Sequence, residues 1–272
     1  MGTFWGTLIG SLLTLASSGM ALGAALGLTG FLILEFIANS ATFVAIDAVW
    51  NVLNSFTLSA IPLFIILGEI MLRSGISDKI YIALSPVFER VPGGLLHTNI
   101  TVCTLFGAVS GSSLSTAAAV GSVAYPEMTS RGYDSKMVVG SLAGGGTLGL
   151  LIPPSLSLLI YGALTETSIG RLFLAGFLPG LLFAVMFMGY IFFRCRSNTA
   201  LVPKALTSTN ATVIVLKLFS LWPFFTLVFA IMGSIVFGIA TPTEAAGIGV
   251  IATALVGKLW GSLTLKKLIE SL

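Results

Sequence analysis
Two clusters of helix-breaking residues interrupt an apolar run between residues 106 and 155, and they restrict what this chain can fold into more than any other feature. The first is Ser110, Gly111, Ser112 and Ser113, followed closely by Ser115 and Thr116. The second is Gly144, Gly145, Gly146 and Thr147, followed by Ile152, Pro153, Pro154 and Ser155. Only 8% of the 272 residues are charged, against about 25% in soluble domains, and the mean hydropathy is +1.05, so the solvent for much of the chain is lipid. In hydrocarbon a broken helix leaves backbone N–H and C=O groups unpaired, which is tolerated only where protein, water or an ion satisfies them. Two breaks so close in sequence point to an ion or substrate site built from helix ends.

The remaining segments read as helices of differing length. Residues 4–37 are apolar and broken near Ser17, Ser18 and Gly19. Residues 39–56 carry Asp47, Trp50, Asn51 and Asn54 and fit a helix lying at the headgroup level, where Trp is favoured. Residues 57–74 form a span containing Pro62 and Glu69, and 75–93 carry Asp78, Lys79, Glu89 and Arg90 among Ile80, Tyr81, Ile82, Leu84 and Phe88, as an interfacial helix does. Residues 94–109 and 114–128 are both short for a crossing of roughly 20 residues, and they meet at the Ser/Gly cluster, which predicts a re-entrant hairpin over 94–128. Residues 134–165 read as one span broken at Pro153-Pro154, because proline donates no hydrogen bond and pushes its predecessor out of helical geometry. Further spans are expected at 172–193, 212–237 and 242–260, with a polar loop at 194–210 and an amphipathic tail at 263–272.

Charge tests this arrangement, since Lys and Arg favour cytoplasmic loops. With the hairpin entering and leaving on one side, Arg73, Lys79, Arg90, Arg131, Lys136, Arg194, Arg196, Lys204, Lys217, Lys258, Lys266 and Lys267 share a side, and Arg171 alone faces the other. Were the hairpin a full crossing, Arg131 and Lys136 would oppose Lys79 and Arg90. The first basic residue is Arg73, so residues 4–37 lack the charged flank of a signal peptide and are expected to stay in the protein. A net charge of +3, dispersed along the chain, excludes nucleic-acid binding as a role, and Cys103 and Cys195 lack metal-ligand spacing.

Each chemical motif has a plainer counterpart. The hydroxyls of Ser110, Ser112, Ser113, Ser115 and Thr116, with unpaired carbonyls at the tip, form a neutral oxygen cage that suits sodium, and the helix starting near Leu114 offers N–H groups to a carboxylate. The same small residues also serve close helix packing, and both readings stand at this level. The Gly-rich run lacks the Gly-Lys-Ser/Thr ending of a phosphate loop; Gly140 with Gly144 and Gly145 with Gly149 have small-xxx-small spacing instead. Thr241, Pro242 and Glu244 have the spacing of an N-cap, a first helical proline and a capping box, which assigns Glu244 a structural role. Glu69 reads as a paired or interfacial carboxylate, and His97, the single histidine, has no evident catalytic partner.

The motifs Ala60-Ile-Pro-Leu-Phe, Gly68-Glu-Ile-Met, Pro92-Gly-Gly, Phe106-Gly-Ala-Val-Ser-Gly-Ser-Ser, Pro126-Glu-Met, Arg131-Gly-Tyr-Asp, Gly146-Thr-Leu-Gly, Ile152-Pro-Pro-Ser, Ser168-Ile-Gly, Leu174-Ala-Gly and Thr241-Pro-Thr-Glu-Ala-Ala occur in this order. Along nearly the whole chain the sequence resembles the large membrane subunit of the TRAP (tripartite ATP-independent periplasmic) transporters. The resemblance implies an all-α polytopic membrane protein of the bacterial inner membrane. Its fold would be the first repeat of an elevator-type inverted-repeat transporter, with a re-entrant helical hairpin and a broken transmembrane helix. It also implies scaffold helices in 1–93, a transport region in 94–165, and further spans plus the start of the second half in 166–272. Sodium would be the coupling ion and an organic acid, a dicarboxylate or sugar acid, the cargo. The implied partners are a small membrane subunit and a periplasmic substrate-binding protein; no enzyme activity and no cofactor are expected.

Carried over residue by residue, the ion and substrate site would comprise Ser110, Gly111, Ser112, Ser113 and Thr116 with Gly145, Gly146, Thr147, Pro153, Pro154 and Ser155, the sodium candidates being Ser110, Ser112, Ser113 and Thr147. Two departures from the family pattern stand out. Ala21 occupies the place of an early proline, and the resemblance covers only the first repeat and the start of the second half, so the chain is expected to be an N-terminal portion of the subunit, either a fragment or one part of a transporter whose remainder is on another polypeptide. A fragment that only docks partner subunits, another secondary carrier and a channel are the alternatives.

Overall fold
A computed structural model describes residues 2–37, 42–203 and 211–271; Lys204 and residues 39–41 of the expected interfacial stretch lie outside this range. The chain divides into two compact units, residues 1–55 and 56–272.

In the first unit, α1 (Gly2–Ser17) packs on α2 (Leu22–Phe36), which packs on α3 (Thr42–Leu53). The apolar run is therefore broken, as its Ser17-Ser18-Gly19 sequence suggests. Gly19 takes φ +78, which glycine adopts without a steric penalty. Ala21 follows at φ −55 and ψ 132, inside the range to which a proline ring would be locked.

The second unit opens with a short 3-10 helix, Phe56–Ser59, continued by α4 (Ala60–Arg73). Then come α5 (Ile76–Phe88), α6 (Leu95–Ser110) and α7 (Ser113–Ser130). Next are α8 (Ser135–Thr147) and α9 (Leu156–Leu164), with a 3-10 turn, Leu148–Leu150, between them. The unit ends with α10 (Ile169–Ser197), α11 (Ala211–Phe219), α12 (Trp222–Val236), α13 (Pro242–Leu259) and α14 (Leu265–Ile269).

α6 is the hub. It is buried along almost its whole length and touches α4, α5, α7, α8 and α10. α10 is its opposite: Leu174, Phe177, Leu178, Leu182, Val185, Tyr190 and Phe193 are exposed, an outward apolar face that suits a lipid environment. Among the described residues two helical stretches are long and apolar enough to cross a membrane, Phe56–Arg73 and Ile169–Ser197.

The span expected at 212–237 is long and apolar enough to cross a membrane only as two helices taken together, not as one continuous helix. It is a pair of helices, α11 and α12, bent by 44°. Pro223 stands at the start of α12, where its missing N–H costs nothing, and it disfavours an unbroken helix through the residues before it. The break at 134–165 also begins earlier than the Pro153-Pro154 signal suggests, because α-helical geometry ends at Thr147 and tightens into the 3-10 turn.

Paired charges close one end of the second unit. Arg73 bonds Glu69 at 2.7 Å and Glu270 at 3.0 Å, and the Ser262 N–H donates to the Ser74 carbonyl at 2.6 Å. Glu69 is thus a paired carboxylate. His97 bonds the Pro92 carbonyl at 2.8 Å and stacks on Phe88, closing the turn into α6; no serine or carboxylate bonds its ring among the described residues.

Candidate ion and substrate site
Local chemistry makes the hairpin tip. α6 ends because Gly111 takes the left-handed conformation, φ +60, and its N–H closes the last turn on the Gly107 carbonyl at 2.9 Å. Ser112 is extended and caps α7, its hydroxyl accepting from the Ser115 N–H at 3.4 Å. Two residues thus reverse the chain. The arms then run back together, so that Asn99 near the start of α6 bonds the Met128 sulfur near the end of α7.

The facing break is built the same way. Ser155 is extended and caps α9 through the Leu158 N–H, while its hydroxyl donates to the Leu150 carbonyl. The Pro153-Pro154 bond is cis. Pro153, Pro154 and Ser155 are all buried.

These two pieces touch. A side-chain carbon on Gly107 would lie 2.6 Å from the Gly149 Cα, and one on Gly111 would lie 3.1 Å from the Pro154 carbonyl oxygen and 3.0 Å from the Leu156 nitrogen. One on Gly146 would lie 3.1 Å from the Ser113 carbonyl. The hairpin tip therefore sits in the break between α8 and α9, and glycine is the residue that lets backbone approach backbone so closely.

Three glycines on other helices complete the seat. A carbon on Gly68 of α4 would meet the Ser110 Cα at 3.1 Å, one on Gly176 of α10 would meet the Leu151 carbonyl at 2.9 Å, and one on Gly180 would meet Ile152 at 2.4 Å. Sequence reasoning missed Gly176 and Gly180 as part of this region. Their spacing of four on one helix face was the available signal.

The oxygens divide into spent and unspent. The Thr116 hydroxyl donates to the Ser112 carbonyl at 2.7 Å and lies 2.8 Å from the Ser110 hydroxyl; both side chains are fully buried. The hydroxyls of Ser113 and Ser115 make no hydrogen bond among the described residues, and no N–H there bonds the Pro154 carbonyl. Gly145 and Gly146 are buried against α6 and α7. Thr147 is apart from the others: its side chain is exposed and donates back to the Gly144 carbonyl at 2.7 Å. Thr241, Pro242 and Glu244 form the expected capping box at the start of α13, the Thr241 N–H donating to Glu244 at 2.8 Å.

The region is thus a neutral assembly of carbonyls and hydroxyls at helix ends, with no group of three His, Cys, Asp or Glu side chains placed to hold a metal ion among the described residues. It offers oxygen ligands and helix N-termini. Residues 9–272 match the sequence model described as the DctM component of the tripartite ATP-independent periplasmic transporters.

The chain belongs to this DctM family. It is 38% identical over 234 residues to the C4-dicarboxylate TRAP transporter large permease protein of Pseudomonas aeruginosa, covering 85% of this chain and 53% of that protein. It is 33% identical over 236 residues to the sialic acid TRAP transporter permease protein of Haemophilus influenzae, covering 82% and 38%. It is 36% identical over 201 residues to the ectoine TRAP transporter large permease protein of Halomonas elongata, covering 73% and 46%. The chain spans about half the length of the curated relatives it matches. This DctM-family chain is a bacterial membrane protein with several apolar helices, from a family of transporter permeases and not of enzymes.

Proposed function
We propose that this chain forms the first repeat of a TRAP-type permease that imports an organic acid, of the dicarboxylate or sugar-acid class, driven by sodium. The observation that carries the reading is the contact of the Gly111–Ser112 tip with the α8–α9 break at Gly149, Pro154 and Leu156. A mobile unit comprising 94–165 would carry sodium among the carbonyls and hydroxyls of Ser110, Ser112 and Ser113. Thr147 is the least supported of the ion ligands, because its hydroxyl turns back to Gly144. The N-termini of α7 and α9 would favour the carboxylate of the cargo. The hairpin would be re-entrant, and movement of the unit against α4 and α10 would give alternating access. The small membrane subunit would brace the scaffold and the periplasmic binding protein would deliver the substrate, in the bacterial inner membrane.

The test is uptake in proteoliposomes that contain this chain with the inverted second repeat, the small subunit and the binding protein. Labelled C4-dicarboxylate and sialic acid are offered with and without an inward sodium gradient. Accumulation that needs both sodium and the binding protein supports the proposal. Accumulation without the binding protein overturns it in favour of an independent carrier or channel.

A further inference from the structure
A cavity of about 550 Å³ lies at the base of the hairpin, away from its tip, where the α5–α6 turn, the α7–α8 turn and the end of α10 come together. Among the described residues, three arginines from these three places, Arg90, Arg131 and Arg196, share its lining with one carboxylate, Glu89. Its walls are otherwise partly apolar, Val91 and Val202 among them. The three arginines are exposed, and Arg131 also bonds Glu127, which is not part of the lining.

The depth of this cavity follows from α10. That helix has 29 residues, about 43 Å of rise against a hydrocarbon core of about 30 Å, and its outward face is apolar. Its last turn, which carries Arg194 and Arg196, therefore emerges at the headgroup layer. A basic, half-apolar cavity at that level matches a phospholipid in which the phosphate is anionic and the glycerol and upper acyl chain are not. Guanidinium groups bind phosphate oxygens two at a time, which an amine cannot do.

We propose that this cavity binds the headgroup of an anionic phospholipid, with Arg90, Arg131 and Arg196 on its phosphate. The site lies away from the hairpin tip and would hold lipid whatever the transported substrate is.

The test is native mass spectrometry of the purified protein in neutral detergent, titrated with phosphatidylglycerol, phosphatidylcholine or inorganic phosphate. Phosphatidylglycerol is expected to be retained over phosphatidylcholine. That preference is expected to fall roughly fivefold for each arginine removed in Arg90→Gln and Arg196→Gln. Arg196→Lys is expected to keep part of it, and Arg171→Gln, at the far end of α10, all of it. The preference is read within each variant, so a poorly expressed one does not stand in for a weak binder. Equal retention of the two lipids overturns the site. Equal loss in Arg171→Gln overturns it in favour of overall surface charge, and displacement of the lipid by inorganic phosphate at equal concentration overturns the lipid as its occupant.

Discussion

Gly107 and Gly149 meet backbone to backbone: a methyl group on Gly107 would come within 2.6 Å of the Gly149 Cα. Forty-two positions apart in sequence, they bring an arm of the hairpin against the turn that ends α8. Gly107→Ala is expected to cost about 1–3 kcal/mol through overpacking, read as a lowered unfolding temperature in detergent. Gly144→Ala is the contrast, since its methyl would meet only the Phe187 ring at ordinary contact distance, 3.7 Å. Equal tolerance of both substitutions would remove the close approach as the reason for the glycine.

At the tip, Ser112→Ala and Ser113→Ala are expected to weaken the sodium dependence of uptake in the reconstituted system. Ser112 has a second role as the cap of α7, so its change should also lower stability. Ser113, whose hydroxyl makes no bond among the described residues, should affect sodium activation with little change in unfolding temperature. Unchanged sodium activation curves in both variants would dismiss the tip as the ion site.

Thr116→Val removes the hydroxyl that ties the Ser110 side chain to the Ser112 carbonyl, in a fully buried position. The expected loss is about 1–3 kcal/mol, the cost of leaving buried partners unsatisfied. The measurement is thermal unfolding with and without sodium. If the variant is as stable as the parent, these bonds do not hold the reversal together.

Thr241→Ala is expected to destabilise by about 1 kcal/mol through loss of the α13 cap. Glu244→Gln should do less, because the amide oxygen can still accept from the Thr241 N–H. Transport per folded molecule should survive both. Loss of uptake at normal protein levels in Glu244→Gln would assign the carboxylate a role in transport.

In the first unit, Ala21→Pro is expected to be tolerated or to stabilise by about 0.4–1 kcal/mol. The backbone there already has φ −55, and the Ala21 N–H makes no hydrogen bond among the described residues. Proteolysis between α1 and α2 should be slowed or unchanged; faster cleavage would show that the turn needs a freer residue.

Much of this fold is legible in sequence because its signals are local. Gly111 and Ser112 end one helix and start the next through bonds within a few residues of each other, and Thr241 with Glu244 does the same for α13. Ser17-Ser18-Gly19 marked the break between α1 and α2. The bend between α11 and α12 was not read, although Pro223 was visible, because strong apolarity on both sides of it looked like one span. For the candidate site, the two clusters were legible as exceptions to an apolar chain, whereas the spacing of Gly176 and Gly180 signals close packing on α10 without revealing what packs there.

The sequence by itself determined the solvent, the helices, and the caps and breaks that punctuate them, since each depends on composition or on groups a few residues apart. Only the tertiary structure decided that the hairpin tip enters the α8–α9 break. It also decided that the Ser110 hydroxyl bonds that of Thr116, which donates to the Ser112 carbonyl, while that of Thr147 donates back to the Gly144 carbonyl. Those outcomes depend on how closely backbones from different helices approach, and that distance is set by packing across the whole unit rather than by any local run of residues.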